Sequence, residues 1–142
     1  MSKLRTVSWV LLVIAGVLVV LVSLLSANIA YRGRYAVGGV SVNEVAMGRE
    51  AVLLGLRGAR GTAAAWSAAF GLLLTLIAAG PYRRGDVTSW WAILVSSLLL
   101  LGLAALRLPL IGLRFGISSP LIVTAVVVIA LLLDVRRLGA PR

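Results

Sequence analysis

Between Val7 and Ala30 the chain runs for 24 residues without a charged side chain, its apolar character broken only by Ser8, Ser23, Ser26 and Asn28. A helix of about 20 apolar residues crosses the hydrocarbon core of a bilayer, and a helix satisfies its own backbone polar groups there. The apolar core of a cleaved leader is shorter, typically about 7–15 residues, and Ser26-Ala27-Asn28 is a poor cleavage site. The run is therefore expected to stay in the protein as a first span. Trp9 at one end, with Tyr31 and Tyr35 at the other, suits the aromatic belts of the two bilayer surfaces.

The pattern recurs. A second span is expected over residues 62–80, a third over 88–106 and a fourth over 120–134. They are joined by a long loop (31–60), a short turn after Gly80 and an apolar segment at 107–119. With 61% hydrophobic and 13% charged residues and a mean hydropathy of +1.10, the chain is far from the soluble average of about one-quarter charged. The expected fold class is all-α: a polytopic membrane protein of four transmembrane helices in a small bundle, with residues 1–142 as one domain.

The first loop has structure of its own. Gly38-Gly39 between two short β-prone stretches fits a two-residue hairpin. Ser41-Val42-Asn43-Glu44 reads as a capping box that starts a helix near Val42. That helix is expected either to lie at the interface as far as about Ala59 and break at Gly55, Gly58 and Gly61, or to continue as one long helix projecting from the membrane; the break is preferred, since each interior glycine costs about 1 kcal/mol against alanine. At the far end of the second span, Gly80 suits a helix terminus and Pro81 stops continuation. The turn is short, so the second and third spans are antiparallel neighbours, with Asp86 or Thr88 capping the third. Ser119-Pro120 suits the start of the fourth. Segment 107–119, with Arg107 and Arg114 around Pro109 and Gly112, is either interfacial or re-entrant, and the interfacial reading is the commoner.

Gly61, Ala65 and Ala69 at four-residue spacing form a small-residue ridge, the device by which helix backbones approach closely in lipid. The alternative is an alanine-rich composition with no packing role. Trp9, Arg83, Arg84, Trp90, Trp91, Arg136 and Arg137 are expected as interface anchors. Arg60-Gly61, the Ala/Gly/Leu-rich stretch after it, Pro81-Tyr82-Arg83-Arg84-Gly85-Asp86 and Trp90-Trp91 together resemble a set of small, uncharacterised four-helix integral membrane proteins of prokaryotes. The resemblance implies a four-span architecture and carries no activity or site residue with it.

The absence of cysteine and histidine removes thiolate and imidazole chemistry, and with them most metal and haem ligation. The four acids, Glu44, Glu50, Asp86 and Asp134, all fall in loops or at span ends. No enzyme activity and no cofactor is expected, since acid–base catalysis needs titratable groups gathered in a pocket. The net charge of +10, from thirteen arginines and one lysine against those acids, would suggest nucleic acid in a soluble domain. Between apolar runs it points to anionic lipid headgroups instead, and no nucleic-acid partner is expected. The scarcity of amides suits a GC-rich or heat-loving prokaryotic source.

Four spans would put seven basic residues on each side of the membrane. The denser terminal segments favour cytoplasmic termini, in a multi-pass protein of the cell membrane. The leading expectation is a non-catalytic structural or accessory protein that packs against other transmembrane subunits or against itself. A small transporter or anion channel, with a dual-topology antiparallel dimer as one form of it, is the alternative. Against coupled transport stands the lack of any acid inside an apolar run.

Overall fold

The computed structural model describes residues 3–33, 35–37, 39–106, 109–110 and 118–139, leaving aside the side chains of residues 137 and 139. Helix α1 is Lys3–Tyr31, strands β1 and β2 are Ala36–Val37 and Val40–Ser41, and helix α2 is Val42–Val45. Helix α3, Glu50–Ile77, continues through a π-helical turn, Ala78–Tyr82; helix α4 is Val87–Ala105, helix α5 is Ser118–Leu133, and a 3₁₀ turn follows at Val135–Gly139. Among the described residues three helical stretches, Lys3–Tyr31, Glu50–Tyr82 and Val87–Ala105, are long and apolar enough to cross a membrane, whereas α5 is a shorter apolar helix of 16 residues. The structure thus bears out the all-α class; of the four expected spans, three are helices of sufficient length and apolarity. Most of segment 107–119 lies outside the described residues.

The contacts divide the chain into two units, Leu18–Leu72 and the combination of Met1–Val17 with Leu73–Arg142. In the Leu18–Leu72 unit the hairpin forms as expected, with Ala36 opposite Ser41 and Val37 opposite Val40. Gly39 supplies the positive φ (+88°) that a tight hairpin turn requires. The capping box is also present: Glu44 N–H donates to Ser41 Oγ at 3.2 Å, and Ser41 N–H donates to Glu44 Oε2 at 3.1 Å.

The helix that starts there is corrected in its course. It ends at Val45, where Met47 and Gly48 both take positive φ, and a new helix begins at Glu50. This second helix runs through Gly55, Gly58 and Gly61 without the expected break. Three glycines cost about 3 kcal/mol in propensity, but opening the helix would leave several backbone groups unpaired, at about 1–3 kcal/mol each when buried. Gly61 is also used for packing: a Cβ there would lie 2.7 Å from the ring and hydroxyl of Tyr31, so the aromatic side chain rests on bare backbone.

The other unit is built from the start of α1, the end of α3, and α4 with α5. Trp90, Ile93, Ser97 and Ala104 are buried on α4, and Thr124, Val127 and Leu131 on α5. Both sets step by three, four or seven residues, one face of a helix, and the two helices pack along these stripes. Leu12 and Ala15 from α1 and Leu74 and Ala78 from α3 complete the apolar core of this unit.

A second correction concerns Gly80-Pro81, which does not stop the helix. The helix passes through Pro81 in a π turn, whose wider ring gives the proline room and tolerates its missing N–H. The terminus comes at Gly85 (φ +103°): its N–H reaches the Tyr82 carbonyl at 3.0 Å, and that of Asp86 reaches the Pro81 carbonyl at 3.2 Å. This pair of bonds is the Schellman motif with Gly85 at C′. The turn into α4 is thus even tighter than the sequence suggested.

Candidate functional site

The last carbonyls of any helix lack intrahelical donors. At the end of α5 the backbone tightens, so that Asp134 N–H bonds the Leu131 carbonyl at 3.1 Å. Two neighbouring helices supply donors to the carbonyls of this turn. Ser8 of α1 donates its hydroxyl to Ala130 O at 2.6 Å, and the Trp90 indole of α4 donates to Leu131 O at 3.2 Å.

Ser8 Oγ also lies 2.6 Å from the Tyr82 hydroxyl. A serine has one proton to give, and a carbonyl can only accept. Ser8 therefore spends its proton on Ala130, and the Tyr82 hydroxyl donates to Ser8. The resulting chain, Tyr82 O–H to Ser8 O–H to Ala130 C=O, links α3, α1 and α5 through residues that are fully buried. Further along α5, Thr124 donates to the Ser97 carbonyl at 3.2 Å. Ser96 instead bonds the Ala92 carbonyl of its own helix.

Next to this junction lies a concentration of positive charge. Arg5 Nη2 donates to the Arg83 carbonyl at 3.0 Å, and the Arg83 guanidinium sits 4.8 Å from the centroid of the Trp9 ring, a cation–π contact. Arg5, Ala79, Gly80, Arg83 and Arg84 line an open cleft of about 610 Å³. The acid closest in sequence, Asp86, caps α4: Oδ2 accepts from Ser89 N–H at 2.8 Å and from the Ser89 hydroxyl, and Oδ1 accepts from Thr88 N–H at 3.2 Å. The Ser89 hydroxyl, followed by the backbone N–H of Ser89, holds the Asp86 carboxyl below the usual carboxylate range.

The residues singled out from sequence are dispersed between these settings. Of the ridge, Gly61 is buried under Tyr31, while Ala65 and Ala69 are exposed. The small residues that α3 buries are Gly61, Ala64 and Gly71, so the buried face ends at Gly61 and leaves Ala65 and Ala69 outside it. Trp9, Arg83 and Arg84 come together around the cleft, and Arg136 is exposed. The Arg137 side chain lies outside the described residues. Trp91 is 51% exposed and packs edge-on against Trp90 with ring centroids 4.9 Å apart.

Trp90 departs from the expectation of a surface anchor. It is 6% exposed and spends its N–H on α5. Sequence reasoning also missed Ser8 and Tyr82, read as a break in an apolar run and as part of a turn. A serine one turn inside a span and a tyrosine just past a Gly-Pro are weak signals when the tyrosine's partner is that serine, 74 residues away, and the serine's is a carbonyl 122 residues away. Among the described residues, no group of three or more His, Cys, Asp or Glu is placed to hold a metal ion.

Among known proteins, no family model, curated protein or solved structure matches this chain. The functional reading rests on the geometry alone.

Proposed function

We propose that this is a four-span integral membrane protein with a non-catalytic, structural role: it packs against other transmembrane helices, as a subunit of a larger membrane complex or as a homo-oligomer. The observation that carries this reading is a face of α3. Gly55, Gly58, Thr62, Ala65 and Ala69 are all exposed, and at 3.6 residues per turn they fall within about 80° of one another. Trp66, 74% exposed, stands at the edge of the stripe. In lipid, helix association depends on close packing and hydrogen bonding, and a smooth face of small residues gives a partner backbone close access.

The outer surfaces of the helices support the membrane setting. Leu21, Val22, Leu24 and Leu25 of α1, Leu72, Leu73 and Leu76 of α3, and Leu99 and Leu103 of α4 are each more than half exposed. Soluble monomers rarely expose contiguous apolar patches larger than a few hundred Å². In this reading α5 is the fourth span. Its 16 residues give about 24 Å of helix, short of a typical core of about 30 Å, a mismatch that local thinning of the bilayer accommodates. The termini lie on the cytoplasmic side, and reporter fusions at the C-terminus test that orientation.

Gentle-detergent purification at native expression level, followed by size measurement, tests the packing role. The expected result is an oligomer or a co-purifying partner, and Ala65→Leu or Ala69→Leu should disperse it while insertion persists, because overpacking costs about 1–3 kcal/mol. A lone monomer, or assemblies of unchanged size in both variants, would refute the reading.

A further inference from the structure

We propose that the cleft lined by Arg5, Arg83 and Arg84 binds the phosphate of an anionic phospholipid headgroup. Three guanidinium groups line it, and among the described residues no carboxylate does. Two of the three are held in place: Arg5 by the Arg83 carbonyl, and Arg83 by the Trp9 ring. The planar N–H fork of a guanidinium matches the oxygens of a phosphate, and its fixed geometry lowers the ordering cost of each hydrogen bond made. Arg84 is exposed and completes the set from the same helix end.

The volume, about 610 Å³, falls within the range of small-molecule sites. The rest of the lining is Ala79 and Gly80, and a Cβ built on Gly80 would meet nothing within 4 Å. The bare glycine therefore leaves space beside the charges. A small, apolar wall next to three cations suits an amphiphile whose phosphate sits on the arginines and whose glycerol and chains continue along the helix. The chemistry recognised is a phosphate. The choice of a lipid as its source rests on the membrane placement proposed above.

The test uses the full-length protein in nanodiscs of equimolar phosphatidylglycerol and phosphatidylcholine, with retained lipid counted by native mass spectrometry. Phosphatidylglycerol should be retained preferentially. Arg83→Gln and Arg84→Gln should each lower that preference about fivefold, the effect of one basic residue near an anionic surface. Gly80→Leu, which fills space without altering charge, should lower it as well, and Arg136→Gln, an exposed arginine outside the cleft, should leave it unchanged.

A parallel arm titrates inorganic phosphate into the protein in neutral detergent and follows it by phosphorus NMR. Binding there that Arg84→Gln abolishes, without headgroup preference in nanodiscs, would overturn the lipid as source and identify free phosphate as the ligand. Two results would overturn the site altogether: a lipid preference that Arg84→Gln and Gly80→Leu leave intact, or one that Arg136→Gln reduces equally. Failure of the protein to enter nanodiscs would count against the membrane reading alone, since the phosphate arm needs no bilayer.

Discussion

Replacing Ser8 by alanine tests the buried junction most directly. One hydroxyl serves two bonds, each 2.6 Å long, among groups with no solvent exposure. Ser8→Ala removes the acceptor of the Tyr82 hydroxyl and the side-chain donor of the Ala130 carbonyl. Hydrogen bonds between membrane helices average about 0.6 kcal/mol with a maximum near 1.7, so breaking two costs from about 1.2 to about 3.4 kcal/mol. Tyr82→Phe removes the first bond and leaves Ser8 on Ala130. In the double variant the Tyr82–Ser8 bond cannot be lost twice, so the two changes should couple by about 0.6–1.7 kcal/mol. Unfolding by a rising mole fraction of dodecyl sulfate in mixed micelles measures this, with tryptophan fluorescence from Trp9 and Trp90 as the probe. Effects that add to within about 0.3–0.5 kcal/mol would refute the ordered chain from Tyr82 through Ser8 to Ala130.

Gly61→Ala places a Cβ 2.7 Å from the Tyr31 ring and should destabilise by about 1–3 kcal/mol, whereas Gly58→Ala, with nothing within 4 Å, should be neutral or stabilising in the same unfolding assay. Gly85→Ala forces a side chain to φ +103° and sets it 2.6 Å from Arg5 Nη2, for a loss of about 1–3 kcal/mol, read as a lower unfolding midpoint. Asp86 has a depressed folded pKa, so its capping contribution is complete above the unfolded carboxylate value of about 3.9 and is lost as pH falls through the lower folded value. An acid titration of stability should therefore lose part of its slope below about pH 4 in Asp86→Asn, and a slope identical to that of the parent chain would remove Asp86 from the account.

Sequence alone resolved the features whose chemistry is local. The capping box at Ser41 and Glu44, the hairpin around Gly38-Gly39 and the cap at Asp86 each depend on residues within a few positions of one another. They appear where the residue types place them. The apolar runs were equally plain, because hydrophobicity summed over some twenty residues is a strong signal. The polar junction was not. Ser8, Tyr82 and Trp90 acquire partners only when the C-terminal turn of α5 arrives beside them, and a single serine or tryptophan gives no hint of which carbonyl it will meet.

The glycines and the proline depart from their sequence expectation for one common reason. A helix break at Gly55, Gly58, Gly61 or Gly80-Pro81 follows from the propensities of helices in water, where a broken backbone can bond to solvent. Where the backbone is buried, as at Gly61, the alternative to a helix is an unpaired peptide group, so the chain keeps its helix and adapts it locally. At Gly61 it tolerates the glycine and packs Tyr31 on it; at Pro81 it widens to a π turn. The helix ends at Gly85, where the Schellman bonds satisfy the last carbonyls. Its extra turn carries Tyr82 to Ser8 and sets Arg83 and Arg84 beside Arg5. Had the helix stopped at Gly80, neither the buried hydroxyl chain nor the arginine cleft would exist as it stands.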